Sequence, residues 1–287
     1  YLPAVAQLRQ LVDFVPQWRV DDVMASYAVD GGSVGPHYDN YDVFLLQGQG
    51  QRLWRVGQHC DASSRLLPHA DLRILDEFRV EEEYLLGPGD MLYLPPGRAH
   101  WGIARGDCTT FSIGFRAPRL NDMLSRFTDA LLAELDPEAF YTDAGLIAGS
   151  RPGEISATDL ARAREQVLAA VSAAGDDRWF GELVTEPRYE PAPDDDTLAE
   201  SRALLRQPGE AVTLCPEAKL AWQAVADGVR VFANGDSRLF PARLTAVLES
   251  LCRNWQLLPA DLGRTMELPQ GPALLDYLLE TGCIYVQ

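Results

Sequence analysis

Long apolar runs are missing: nowhere do the 287 residues approach the roughly 20 consecutive apolar positions a membrane-crossing helix needs, and no signal-peptide pattern is visible. A protein without a membrane segment is expected. Cysteine is scarce and unpaired. The five cysteines (Cys60, Cys108, Cys215, Cys252 and Cys283) are odd in number and scattered, with no CxxC pair, which argues against a disulfide framework or a zinc finger and favours a reducing cytoplasm. Lysine is nearly absent, with Lys219 alone, and the formal net charge is -17. Such a field repels nucleic acid and anionic membrane and attracts basic partners, although solubility alone would also account for it.

The chain has 47% hydrophobic and 23% charged residues, which is ordinary for a globular protein and enough for a real core. It opens without Met on helix-spaced Val5, Leu8, Leu11 and Val12, so an N-terminal portion is expected to be missing. Short strands punctuated by Gly and Pro then follow. They are Val23–Val29 before Asp30-Gly31-Gly32, Val43–Gln47 before Gly48-Gln49-Gly50, Arg52–Val56, Glu83–Leu86 before Gly87-Pro88-Gly89-Asp90, Met91–Leu94 before Pro95-Pro96-Gly97, and Thr109–Phe115. This pattern predicts an all-β barrel or sandwich.

The character changes near Ala117-Pro118. Asn121 can cap a helix with Leu124, Phe127, Leu131, Leu132 and Leu135 on one stripe. Ser156-Ala157-Thr158-Asp159 resembles a capping box opening a second helix that ends near Gly175, and Trp179, Phe180 and Leu183 mark a third. These helices pack on the barrel or on another copy of the chain, the latter making a dimer. Glu190-Pro191-Ala192-Pro193 and Asp194-Asp195-Asp196 read as a linker. A winged-helix-like unit follows, with a helix opening at Thr197–Glu200, hairpin turns at Asp227-Gly228 and Asn234-Gly235, and two leucine-rich helices.

The chemistry concentrates in Gly35-Pro36-His37-Tyr38-Asp39. Residues i and i+2 of a strand share a face, so His37 and Asp39 can hold one metal, and a closed barrel can bring His100 to it from a later strand. Two imidazoles and one carboxylate form the facial triad of non-haem iron(II) oxygenases, which leaves three coordination positions open. Arg52 is either a barrel-facing clamp for a carboxylate or a surface arginine at a strand edge. His59, Cys60 and His69 lack a fourth ligand at zinc spacing and read as an exposed loop. A DNA-binding reading of the C-terminal unit is poor, because Ala242–Trp255 offers only Arg243 and Arg253 against Glu249.

In combination these motifs are familiar. Gln17-Trp-Arg-Val-Asp-Asp-Val-Met, Gly35-Pro-His-Tyr-Asp-Asn-Tyr-Asp-Val-Phe, Arg52-Leu-Trp-Arg-Val-Gly, Gly87-Pro-Gly-Asp-Met-Leu-Tyr-Leu-Pro-Pro-Gly and Phe111-Ser-Ile-Gly-Phe-Arg-Ala-Pro resemble the bacterial ribosomal oxygenases of the JmjC (cupin-4) type. The likeness extends to Tyr189-Glu-Pro and Val231-Phe-Ala-Asn-Gly, and so covers essentially the whole chain. The resemblance implies a double-stranded β-helix (1–118), a helical dimerisation region (119–190) and a C-terminal winged-helix-like domain (191–287). It also implies a cytoplasmic homodimer using Fe(II), 2-oxoglutarate and dioxygen to hydroxylate an arginine of a basic 50S ribosomal protein. By position, His37, Asp39 and His100 match the iron ligands, and Arg52 matches the 2-oxoglutarate clamp. Ser26 and Ser112 are candidates for lining the cosubstrate or substrate pocket, and Tyr41 and Asp42 for facing the target arginine. The family's N-terminal part of the barrel domain is not in this sequence. A different protein residue or a small molecule as substrate is the alternative.

Overall fold

The barrel is assembled around two strands that are each about three times the ordinary length. A computed structural model describes residues 3–68, 72–115, 117–144, 151, 153–173, 175–187 and 193–287. A short helix α1 (Pro3–Ala6) and 3-10 turns at Gln7–Val12 and Gln17–Arg19 lead into β1 (Val20–Ala28), β2 (Val43–His59), β3 (Val80–Leu86), β4 (Met91–Leu94) and β5 (Arg98–Phe115). The start of β2 pairs with β4 on one side (Val43 with Leu94) and with the end of β5 on the other (Val43 with Gly114). Its later part pairs with β3 (Arg52 with Leu86) and with the beginning of β5 (Val56 with His100). Thus β2 and β5 run through both halves of a double-stranded β-helix, and β1 adds to the C-terminal half of β5 (Ser26 with Thr110).

Sequence reading separates Val43–Gln47 from Arg52–Val56 by a turn at Gly48-Gln49-Gly50; the structure corrects this to one strand with a bulge. Pairing with β5 continues through it, with the register slipping between Gln47 and Gln51. The slip reverses which side chains face in: Val43, Leu45 and Gln47 are buried before it, and Arg52, Trp54 and Val56 after it. An extra residue does this because strand side chains alternate with a period of two. Likewise Thr109–Phe115 proves to be the end of the strand that already carries His100. The turns at Gly31, Gly89 and Gly97 form as expected, each with a positive φ.

The second compact unit spans Pro118–Leu183. It contains α2 (Leu120–Glu134) and α3 (Ala157–Ala173), and α4 (Arg178–Thr185) begins within it. Arg119, rather than Asn121, stands at the N-cap of α2, in extended conformation and without a side-chain cap bond. The capping box of α3 forms as read: Ser156 Oγ accepts from the Asp159 amide (3.2 Å) and Asp159 Oδ2 accepts from the Ser156 amide (3.0 Å). Phe127 meets Trp179 edge to face at 5.7 Å. Neither α2 nor α3 buries a residue fully, and Leu120, Leu124 and Leu132 are exposed.

The C-terminal part belongs to the same compact unit as the barrel. It runs α5 (Asp195–Leu204), β6 (Val212–Leu214), β7 (Leu220–Val225), β8 (Gly228–Ala233), β9 (Asp236–Phe240), α6 (Thr245–Asn254), β10 (Gln256–Leu257), α7 (Pro259–Glu267), α8 (Gly271–Glu280) and β11 (Ile284–Val286). Leu244, Leu248, Leu251, Leu274, Leu275 and Leu278 are fully enclosed in its core. The second hairpin turn lies where expected, with Asn234 and Gly235 at positive φ as a two-residue turn of that hand requires, while the first falls one residue earlier than read, at Ala226-Asp227, with Gly228 already paired to Val225. Asp194 is not merely linker: its carboxylate caps α5 by accepting from the Thr197 amide at 2.8 Å. Residues 190–192 of the expected linker lie outside the described residues, as does Tyr189.

Gly50 is the pivot of the bulge. Its φ is +64°, and a Cβ there would stand 2.1 Å from the Asp107 carbonyl oxygen. Gly89 has a φ of +90° but open space around it. Gly50→Ala is therefore expected to cost about 2–4 kcal/mol from strain plus overlap, against about 1 kcal/mol for Gly89→Ala, in denaturant unfolding. Equal losses would show that the bulge is not a packed constraint.

Candidate metal and cosubstrate site

His37 and His100 face each other because their backbones do. They form an antiparallel bridge, with His37 N donating to His100 O at 3.0 Å and His100 N to His37 O at 2.8 Å. Two residues on, Gly97 N donates to Asp39 O at 2.7 Å, so the His37–Asp39 segment is fastened along the start of β5. The imidazole centroids lie 4.3 Å apart, and His100 Nε2 is 3.7 Å from Asp39 Oδ2. One donor atom from each of the three residues lies within 4.8 Å of the others, the one such group of His, Cys, Asp and Glu among the described residues. His59 is exposed beside buried Cys60, and His69 lies outside the described residues.

The tautomers are set by the backbone. His37 Nδ1 lies 3.0 Å from Gly35 O and His100 Nδ1 3.0 Å from Arg98 O, so each Nδ1 carries the hydrogen and each Nε2 its lone pair. Burial, then the neighbouring His37, pushes the His100 pKa down to about 4, which keeps its ring neutral at physiological pH. Two lone-pair nitrogens and a carboxylate directed at one point repel one another unless a cation stands between them. That donor set suits a transition metal, and nothing among these three residues closes its remaining coordination positions.

Arg52 is the second unusual group. Its sequence alternatives resolve to the interior: the residue is 7% exposed, and the guanidinium reaches from the later part of β2 to Ser26 Oγ and Thr110 Oγ1, both at 3.2 Å from Nη1. Thr110 Oγ1 in turn donates to Gln47 Oε1 at 3.0 Å, and Ser26 Oγ donates to Thr110 O at 3.2 Å. No carboxylate pairs with Arg52 among the described residues, its Nε has no hydrogen-bond partner, and burial lowers its pKa. A buried, unneutralised guanidinium costs several kcal/mol, which a bound carboxylate would offset. Hence Arg52 and its two hydroxyl partners fit a carboxylate of a bound cosubstrate.

A cavity of about 320 Å³ adjoins the cluster, lined by Asp21, Asp22, Met24, His37, Asp39, Tyr41, Val43, Leu45, His100, Ser112, Gly114 and Phe115. Asp22 Oδ1 and the Tyr41 ring come within 3.4 and 4.0 Å of where a Cβ on Gly114 would stand. Ser112 and Tyr41 are thus placed on the wall of this cavity. Asp42 is engaged elsewhere: its carboxylate accepts from Arg19 Nη2 at 2.8 Å and Tyr93 Oη at 2.7 Å, and it is not among the lining residues. Sequence reasoning missed Asp21, Asp22 and Met24. The parity of β1 could have shown the last two, since Asp22, Met24 and Ser26 share one face.

A double-stranded β-helix with two histidines and an aspartate at a cavity, followed by a winged helix, defines a JmjC-type oxygenase architecture. A JmjC domain model matches residues 7–123 and a ROXA-like winged-helix model residues 177–285, while an AraC-like ligand binding domain model overlaps them at 79–178. The ribosomal protein uL16 3-hydroxylase of Escherichia coli (strain K12) is 33% identical over 298 residues, covering 98% of this chain and 74% of the relative. A probable ribosomal oxygenase of Haemophilus influenzae is 32% identical, covering 99% and 73%. The structure of YcfD, a ribosomal oxygenase from Escherichia coli in complex with cobalt and 2-oxoglutarate, matches with a TM-score of 0.79 and 31% identity over all of this chain and 76% of that one. The chain belongs to the JmjC-type ribosomal oxygenase family.

Among the described residues no helix is long and apolar enough to cross a membrane. If the cluster binds metal, titration calorimetry with Co(II) should show one site per chain, weakened roughly 100-fold or more in His37→Ala. Unchanged affinity would place the metal elsewhere.

Proposed function

We propose that this protein is an Fe(II)- and 2-oxoglutarate-dependent oxygenase that hydroxylates an arginine side chain of a basic large-subunit (50S) ribosomal protein in the cytoplasm. One observation carries the reading: a single cavity is lined both by the His37, Asp39 and His100 cluster and by Asp21, Asp22 and Tyr41. His37, Asp39 and His100 would hold iron, which when bound supplies dioxygen activation coupled to decarboxylation of 2-oxoglutarate. Arg52 would grip the far carboxylate of that cosubstrate, positioned by Ser26 and Thr110. Asp22 and Asp21 offer negative charge to a guanidinium, while Met24 and the Tyr41 ring offer apolar surface to its methylene stem. The chain's contribution is orientation and exclusion of water around the C–H bond to be oxidised. The support from relatives is that one is a ribosomal protein hydroxylase and another was solved with 2-oxoglutarate.

On this reading the chain divides into a catalytic barrel (1–118), a helical region (119–190) and a winged-helix domain (191–287). The helical region makes a homodimer, because α2 leaves Leu120, Leu124 and Leu132 exposed. The winged helix does not bind DNA directly, since α6 carries only Arg253 against Glu249 in a chain of net charge -17.

Purified protein with Fe(II) should turn over 2-oxoglutarate faster when given an arginine-containing ribosomal peptide, and mass spectrometry should find one added oxygen on that arginine. Asp22→Asn should raise the peptide KM by about 10–100-fold, the value of a charge-assisted hydrogen bond, with kcat/KM for the wild type falling as salt rises. Stimulation by an arginine-free small molecule instead would favour the alternative substrate class. Light scattering should give the mass of a dimer, and Leu124→Glu with Leu132→Glu that of a monomer. A wild-type monomer at micromolar concentration would reject the helical interface.

A further inference from the structure

The strand that bears the cavity's acidic residues begins on a defect. The ladder between β1 and β5 slips between Val20 and Asp22, leaving Asp21 as the extra residue. Neighbouring residues of a regular strand point to opposite faces, yet here Asp21 and Asp22 both line the cavity. A bulge also leaves backbone groups outside the ladder, and buried carbonyls need other donors.

Those donors come from the winged-helix domain. Lys219, the only lysine in the sequence, directs Nζ at the bulge, donating to Val20 O at 2.8 Å and to Asp21 O, and standing 3.5 Å from Asp21 Oδ1. Its side chain is 7% exposed, so the charge is held by these oxygens rather than by water. The lysine itself is pinned: its amide donates to Asn234 Oδ1 at 2.8 Å, its carbonyl accepts from Asn234 N at 3.0 Å, and Asn234 Nδ2 donates to Thr281 O at 2.7 Å. Contacts independent of Lys219 also join the two parts. Arg9 stacks 4.1 Å over Trp255 and donates to Pro216 O, and Gln17 donates to Cys252 O. Loss of the lysine therefore need not detach the domain.

We propose that Lys219 is a positioning residue for substrate recognition: by binding the carbonyls of the Val20–Asp22 bulge, it keeps Asp21 and Asp22 together on the cavity wall. The C-terminal domain thereby shapes the oxygenase site without touching substrate or metal. This role rests on the reading of the cavity as a site for a cationic side chain. A shape-preserving but uncharged methionine would remove the ammonium that binds the Val20 and Asp21 carbonyls, and the bulge would relax.

The test compares wild type with Lys219→Met, Lys219→Gln and Lys219→Arg in the full chain. Lys219→Met should raise the KM for an arginine-containing peptide by about tenfold or more, leave kcat within about twofold, and leave Co(II) affinity unchanged, with Lys219→Arg restoring much of the loss. Hydrogen exchange at residues 20–24 should accelerate by about tenfold, while that at 110–115 stays constant. Should Lys219→Met fail to fold, Lys219→Gln, which keeps a shorter donor, should show the same split with a smaller KM rise. Peptide-stimulated wild type with unaltered KM and exchange in these variants would overturn the role of the lysine alone. A wild type that no cationic peptide stimulates would overturn the reading of the cavity, and with it the recognition role of Lys219.

Discussion

Two imidazoles can share one cation only if something rigid holds both rings, and here it is a pair of backbone hydrogen bonds between His37 and His100. The bridge sets the distance between the rings, and the carbonyls of Gly35 and Arg98 set which nitrogen of each is bare. None of this depends on side-chain packing, which relaxes more readily than a ladder does. Everything else in the barrel serves that bridge: the Gly97 amide fastens Asp39 beside it, and β5 carries His100 in register with Val56 of β2. The same strand then runs on to Thr110 and Ser112, so one continuous backbone links the cluster, the partner of Arg52 and the cavity wall.

Two buried cations among the described residues show how charge is managed inside this chain. Arg52 and Lys219 are each 7% exposed, but only Lys219 has a full set of oxygen partners. The guanidinium keeps a bare Nε and no carboxylate, so its desolvation is offset only in part by two hydroxyls. A satisfied buried cation serves as a structural tie, whereas one left short of partners is suited to receive an anion. That distinction separates the two without reference to any relative.

Much of this was legible in the sequence because the signals were local. His37 and Asp39 sit two apart, the second hairpin turn carries its Asn-Gly mark, and Ser156 with Asp159 forms the box that its spacing announces. What was not legible depends on pairing between distant strands. Gly48-Gln49-Gly50 looks like a turn by composition, and only continued pairing with β5 makes it a bulge that turns Arg52 inward. Asp42 reads from the sequence equally as a substrate contact or a structural residue, and only the fold shows Arg19 and Tyr93, both remote in sequence, holding its carboxylate. Asp21 escaped notice for the same reason: strand parity places it outside, and only the slip against β5 brings it to the cavity.

The net charge of -17 also takes on a finer meaning once the residues have positions. Spread over a surface, such charge acts within about a Debye length, roughly 8 Å at physiological salt, and supplies encounter rather than selection. Asp21 and Asp22 differ from the rest because they share the wall of one cavity with the metal-type cluster. A cation placed there would be distinguished by geometry as well as by sign. On the proposed reading the general acidity would draw basic partners in and two carboxylates at a strand defect would decide which part of a partner can enter, while the backbone of that defect is held by the ammonium group of Lys219.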